Sequence, residues 1–189
     1  MRAMLALVMT LVSLPSLADW QLDPAKSSLH FVTTKASHVA EVHQFHSLQG
    51  KVNDQGHAEL SIDLASVDTK IEIRDQRMRE MLFEVAKFPV ATLTANIDPM
   101  VLAIKVGESK DINLDGKLSI HGQSVAVQSP ARVERLSDKV LQVNSLTPVI
   151  VNAKDADLIA GIEKLREVAG LPSISYSVVV DYNLTFTNN

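Results

Sequence analysis

The stretch from Ile174 to Phe186 constrains the fold more than any other part of the chain. Apolar Ile174, Tyr176, Val178, Val180, Tyr182, Leu184 and Phe186 occupy every second position, with Ser175, Ser177, Asp181, Asn183 and Thr185 between them. Successive side chains of a strand point to opposite faces, so this pattern predicts a long strand with one buried and one wet face. The same beat recurs in Ala58, Leu60, Ile62 and Leu64, in Ala91, Leu93, Ala95 and Ile97, and in Ile112, Leu114, Gly116, Leu118 and Ile120. Turn-forming residues at Asn53-Asp54-Gln55-Gly56, Asp98-Pro99, Gly107 to Lys110, His121-Gly122 and Ser137-Asp138 separate these runs at the intervals of antiparallel all-β folds. A barrel or a sandwich follows.

Two segments keep a helical beat instead. Met78, Met81, Leu82 and Val85 fall at i, i+3, i+4 and i+7, which predicts a helix from Gln76 to Ala86 with Asp75 as N-cap and Pro89 beyond its end. Leu158, Ile159, Ile162 and Leu165 make a second stripe within Asp155 to Ala169, where Gly170 is placed as the C′ residue and Pro172 blocks continuation. The expected fold class is therefore all-β with two short helices. No composition shift, repeat or linker divides the chain.

Arg2, the apolar run from Ala3 to Leu14, Pro15 and the small residues of Ser16-Leu17-Ala18 have the form of a secretory signal peptide cleaved after Ala18. The run is too short to span a bilayer. The expected mature chain, 19–189, is one exported, periplasmic domain. With 18 Lys plus Arg against 22 Asp plus Glu, the net charge of -4 offers no field for phosphate backbones, and nucleic acid is an unfavoured partner. The absence of Cys excludes disulfides, thiolate metal sites, a Cys nucleophile and a lipoprotein anchor.

The sequence has no G-x-S-x-G elbow, no phosphate-binding Gly loop, no dinucleotide fingerprint and no H-E-x-x-H pair. An enzyme is not expected, nor is a cofactor. Histidines do cluster, with His38, His43 and His46 around Glu41. In a strand His38 and His46 share a face while His43 points away, and in a helix His43 and His46 align without His38. No metal site is assigned to them.

Ser66-Val67-Asp68-Thr69, Arg74-Asp75, Met78-Arg79, Phe83 and Lys87-Phe88-Pro89 closely resemble the signature of the YceI-like family of exported lipid-binding proteins. Trp20, Asp23, Ser28 and Phe31 resemble its opening strand, Phe45, Leu48 and Gly50 its second, and Gly116, Leu118, Ser119, Ile120 and Gly122 a later hairpin. The chain departs from the family pattern at His43, where Gly is usual, at Arg77, where His is usual, and at Val125-Ala126, where Lys-Pro is usual.

The resemblance implies an extended lipocalin-like antiparallel β-barrel of about eight strands, whose lumen holds a long isoprenoid or fatty-acid-like lipid. The function it implies is a periplasmic carrier or binding protein; the alternative is a periplasmic metal-binding or stress module using the His38–His46 cluster. Expected ligand-lining residues are Phe31, Phe45, Leu60, Ile62, Met78, Met81, Phe83, Phe88, Tyr176 and Val178, although alternating apolar positions would equally serve as packed core. The helix carrying Met78 and Met81 is expected to cover one barrel end, either touching the ligand or plugging the core. Transient membrane contact and pairing of two chains are compatible with all of this.

Overall fold

The computed structural model describes residues 19–188; the expected signal peptide lies outside the described residues. The strands are β1 (Trp20–Leu22), β2 (Ser28–Lys35), β3 (Val39–Phe45), β4 (Leu48–Val52), β5 (His57–Asp63), β6 (Val67–Asp68), β7 (Val90–Asn96), β8 (Ser109–Ile120), β9 (Gln123–Ser137), β10 (Val140–Ser145), β11 (Val149–Asn152) and β12 (Ser177–Thr187). Three α-helices interrupt them: α1 (Glu72–Arg77), α2 (Pro99–Leu102) and α3 (Ile159–Val168).

The antiparallel order β1-β4-β5-β7-β8-β9-β10-β12 returns to β1 through Gln21↔Thr187 and Leu22↔Phe186, so eight strands close into a barrel. Closure leaves no free edge around that ring. The long strand β12 then carries the wall further. Its second half lies between β10 and β1, and its first half between β11 and β2, with β3 and β6 beyond β2. What the sequence pattern suggested as one opening strand is two, β1 and β2, separated by the single turn Pro24–Lys26 that Asp23 caps. Phe45 and Leu48 likewise end β3 and begin β4.

The two-residue beat holds within β5, β7 and β8, with Leu64 in the turn after β5 and Ile97 just past β7. Leu60 pairs with Leu93 and Leu93 with Leu118, all facing the interior. The beat fails at one end of β12. Ile174 makes only an isolated bridge to Lys35 and Tyr176 sits in a bend, so the strand starts at Ser177.

The helix expected from Gln76 to Ala86 begins earlier, at Glu72, and widens into a π-turn over Met78–Leu82. Phe83 N–H bonds back to the Met78 carbonyl at 2.9 Å, five residues earlier, and Glu84 at φ 47° ends the run. Asp75 is inside this helix rather than its N-cap. Its carboxylate accepts from the backbone N–H of Thr69 at 2.8 Å, tying the incoming chain to the first turn. The second helix is shorter at its start than expected, because 153–157 forms turns. Its end is as expected: Gly170 at φ 62° donates to Glu167 and Leu171 donates to Arg166, the paired bonds of a Schellman cap. Asp98-Pro99 starts α2 instead of a simple turn, with the Asp98 carboxylate accepting from Met100 N–H at 2.9 Å.

Helix α3 crosses the π-turn at Gly161. A Cβ there would stand 2.7 Å from the Met81 carbonyl oxygen and 2.8 Å from Leu82 Cα, so only glycine permits this approach. At the opposite end of the barrel, α2 inserts Val101, 1% exposed, beside Trp20. The Arg135 guanidinium lies over the Trp20 ring at 5.4 Å and donates to the carbonyls of Leu102 and Asp138, closing that end.

Candidate functional site

Inward-facing side chains do not fill the barrel. A cavity of about 520 Å³ runs through it, within the usual range for a small-molecule site. Its wall is overwhelmingly apolar, built from every second residue of β2, β5, β7, β8, β9, β10, β11 and β12 and from the π-turn. Trp20, Val52 and Val101 lie at the closed end. Ile71 and Ile73 line the cavity and are nevertheless 46% and 52% exposed, which places the mouth at the start of α1. Ala169 and Leu171, at the end of α3, and Ile174 and Ser175 complete the rim.

Of the residues named from the sequence, Phe31, Phe45, Leu60, Ile62, Met78, Phe83 and Val178 line this cavity. Phe31 and Phe45 stack at 5.2 Å between ring centres, and Phe45 meets Phe83 at 5.8 Å, so three aromatic rings join the β2–β3 wall to the helix. Three expected residues stand outside the lining. Met81 is displaced because the π-turn adds a residue to the helical repeat: Leu82 takes the wall position and Met81 turns its carbonyl to Gly161. Phe88 packs on the His121 ring at 4.5 Å and over Gly122. Tyr176, in its bend, donates its hydroxyl to Glu163 of α3 at 2.8 Å.

Besides Glu59 and Arg77, polar groups enter the wall as three hydrogen-bonded sets. At the mouth, the Glu41 carboxylate receives Lys35 Nζ and Arg74 Nη1, each at 2.8 Å, and Arg74 also donates to the Thr69 carbonyl at 2.7 Å. The Lys35 hydrogen bond holds the Glu41 carboxyl below its ordinary range; burial, the next largest influence, opposes it, and the charge and hydrogen bond of Arg74 add to the lowering. Deeper in, His43 is 4% exposed and shares a hydrogen bond between its Nε2 and Thr33 Oγ1 at 2.9 Å. Its Nδ1 has no partner. Burial first, and the Arg74 charge second, push the imidazole pKa down, so His43 is a neutral member of the wall. The third set is Ser129 with Tyr182, whose hydroxyls meet at 2.8 Å; burial raises the Tyr182 phenol. Register carried the missing signal for the first two, since Lys35, Thr33 and Phe31 stand opposite Val39, Glu41 and His43 on the same face.

The histidine cluster does not converge. His38 is exposed in the turn between β2 and β3, His43 faces the cavity, and His46 lies outside with its Nε2 on Asp68 at 2.9 Å. Among the described residues no three His, Asp or Glu side chains are grouped to hold a metal ion. The alternative of a metal module on His38–His46 therefore lacks a site.

An eight-stranded closed barrel with an apolar cavity, open at one end, defines a lipocalin-like binding barrel. Chemistry in such a barrel is recognition of an elongated apolar molecule. The chain belongs to the YceI-like domain family, which matches residues 20–186. A solved polyisoprenoid binding domain from Saccharophagus degradans, described as implicated in plant cell wall breakdown, is 39% identical with a TM-score of 0.88. That similarity covers 92% of this chain and all of that one. BcnA of Burkholderia cenocepacia, at 21% identity and TM-score 0.65, covers 87% of this chain and 98% of its own. The YCEI protein of Campylobacter jejuni, at 15% identity and TM-score 0.56, covers 78% and 84%. These last two share the fold. No curated protein matches the chain in sequence.

Proposed function

We propose that this protein is a periplasmic carrier that sequesters a long-chain isoprenoid or a comparable lipid in the barrel. The observation that carries the reading is the apolar cavity running from the exposed mouth at Ile71 and Ile73 to the plug at Val101. Each CH₂ moved from water into such a wall gains about 0.8 kcal/mol, so an extended tail needs no special chemistry to be held. The polyisoprenoid binding of the 39% identical relative supports the isoprenoid class. The leader-like segment ending at Ala18 supports export.

The test is native mass spectrometry of gently purified mature protein, followed by solvent extraction of whatever it carries. A lipid-sized adduct that extraction identifies as a long-chain isoprenoid or another single-tailed lipid is the expected result. A protein that leaves cells empty and takes up no prenyl chain when offered one in detergent is not a carrier. Intact mass from the periplasmic fraction reports the leader in the same experiment: a chain starting at Met1 refutes cleavage after Ala18.

A further inference from the structure

The rim of the cavity has a surface of its own. Beside the lining residues Ile71 and Ile73, Val39, at the start of β3 on the face that carries Glu41, and Val168, at the end of α3 next to the lining residue Ala169, are 46% and 45% exposed. They belong to β3, the start of α1 and the end of α3. Glu41 of β3 joins Lys35 of β2 to Arg74 of α1, while Ala36 N–H donates to the Ser173 carbonyl and Ser175 N–H to the Thr34 carbonyl, tying the end of β2 to the segment after α3. An apolar side chain left in water around a hole in an apolar barrel marks a contact surface when several share one face.

The same rim also carries charged side chains. Lys70, Arg74 and Arg77 alternate with Asp68, Glu72 and Asp75 along this segment, and Lys35 lies with Glu41 against Arg74, so the rim carries cations as well as carboxylates on a chain whose net charge is -4. Lys35 and Arg74 share Glu41, and Asp75 is engaged by Thr69. Lys70, beside Ile71, and Arg77, in the cavity wall, make no ion pair among the described residues, and neither does Glu72 between Ile71 and Ile73, which leaves one unpaired cation in excess. Isoleucine and valine to enter an acyl boundary, with unpaired lysine and arginine beside them, are the two components of an interfacial lipid contact.

We infer that the Val39–Ile71–Ile73–Val168 rim docks on an anionic bilayer surface, so that a lipid tail passes between bilayer and barrel without crossing water. The inference rests on the carrier reading, and it names where that carrier loads and unloads. The continuity of rim and cavity is the reason for choosing a bilayer over a protein partner: the barrel is closed at Val101, so a tail has to enter through this same apolar ring.

The experiment is co-sedimentation of the mature protein with phosphatidylglycerol-containing vesicles and with pure phosphatidylcholine vesicles, at low and physiological salt. Binding to the anionic vesicles, weakened by salt, is expected. The variants Val39→Glu and Val168→Glu, neither of which lines the cavity, together should weaken it by about tenfold or more, since each places a repelled charge where an apolar group entered the interface. Met100→Glu, 72% exposed beside the closed end, should leave it unchanged. Melting curves establish that each variant is folded, and native mass spectrometry establishes its lipid content. A protein that carries lipid but ignores anionic vesicles overturns the docking surface and spares the carrier. Binding insensitive to the rim pair, or equally sensitive to Met100→Glu, overturns it too, as does a native mass showing that the rim pair dissolves a dimer. Vesicle binding by a protein that never holds lipid supports the surface and refutes the carrier.

Discussion

Gly161→Ala is a sharp test of how the helices are held over the barrel. A methyl at this position would lie 2.7 Å from the Met81 carbonyl oxygen and 2.8 Å from Leu82 Cα, both backbone atoms, and 3.1 Å from Leu82 Cδ1. Backbone cannot swing aside as a flexible side chain can, so α3 must lift or the π-turn must shift. Overpacking of this kind costs about 1–3 kcal/mol. Against it stands the intrinsic preference of a helix for alanine over glycine, about 1 kcal/mol. The net expectation is a loss of up to about 2 kcal/mol, read as a lower urea midpoint at unchanged slope. Because Met78, Leu82 and Phe83 of the π-turn belong to the cavity wall, the same shift should speed the loss of bound lipid. A Gly161→Ala protein more stable by about 1 kcal/mol would show helix propensity acting alone and would refute the close crossing.

His43 makes stability depend on pH in a defined sense: the unfolded chain takes up a proton as pH falls through about 6.5 while the folded imidazole, held lower, does not, so stability present above that pH declines below it. His43→Phe should flatten that slope in melting curves between neutral and mildly acidic pH; an unchanged slope removes His43 as its source. Tyr182→Phe leaves the Ser129 hydroxyl buried without its partner and should cost about 1–3 kcal/mol, much of which Ser129→Ala in the same chain should restore. Met78→Ala should lower lipid occupancy measured by native mass spectrometry while Met81→Ala should not, because only Met78 belongs to the wall; equal effects would place both on the ligand.

Strand identity was legible because it is a local property. Burial on one side imposes period two on whatever residues are available, and Leu60, Leu93, Leu118 and Leu184 obey it without exception. The same reasoning located the Gly170 cap and the His121-Gly122 turn, where positive φ selects the residue. Helical period was a poorer guide. Met78 and Met81 share a stripe in any regular helix, and the π-turn that separates them is dictated by the crossing of α3 over Met81, a contact between residues eighty positions apart.

Long-range geometry decided the rest. Tyr176 continues the β12 pattern in sequence, but its neighbours in space are Ala153 and Glu163, whose hydrogen bonds hold it in a bend. His38, His43 and His46 are close in sequence, yet a turn and the strand's alternating faces send them to a tip, a lumen and an outer surface. By itself the sequence determined that this chain is an antiparallel β protein with an apolar inner face. Whether that face packs solid or encloses a cavity depends on strand number, on closure of β12 against β1, and on how far α2 and the π-turn reach inward. Those are distances between elements, and only the tertiary structure sets them.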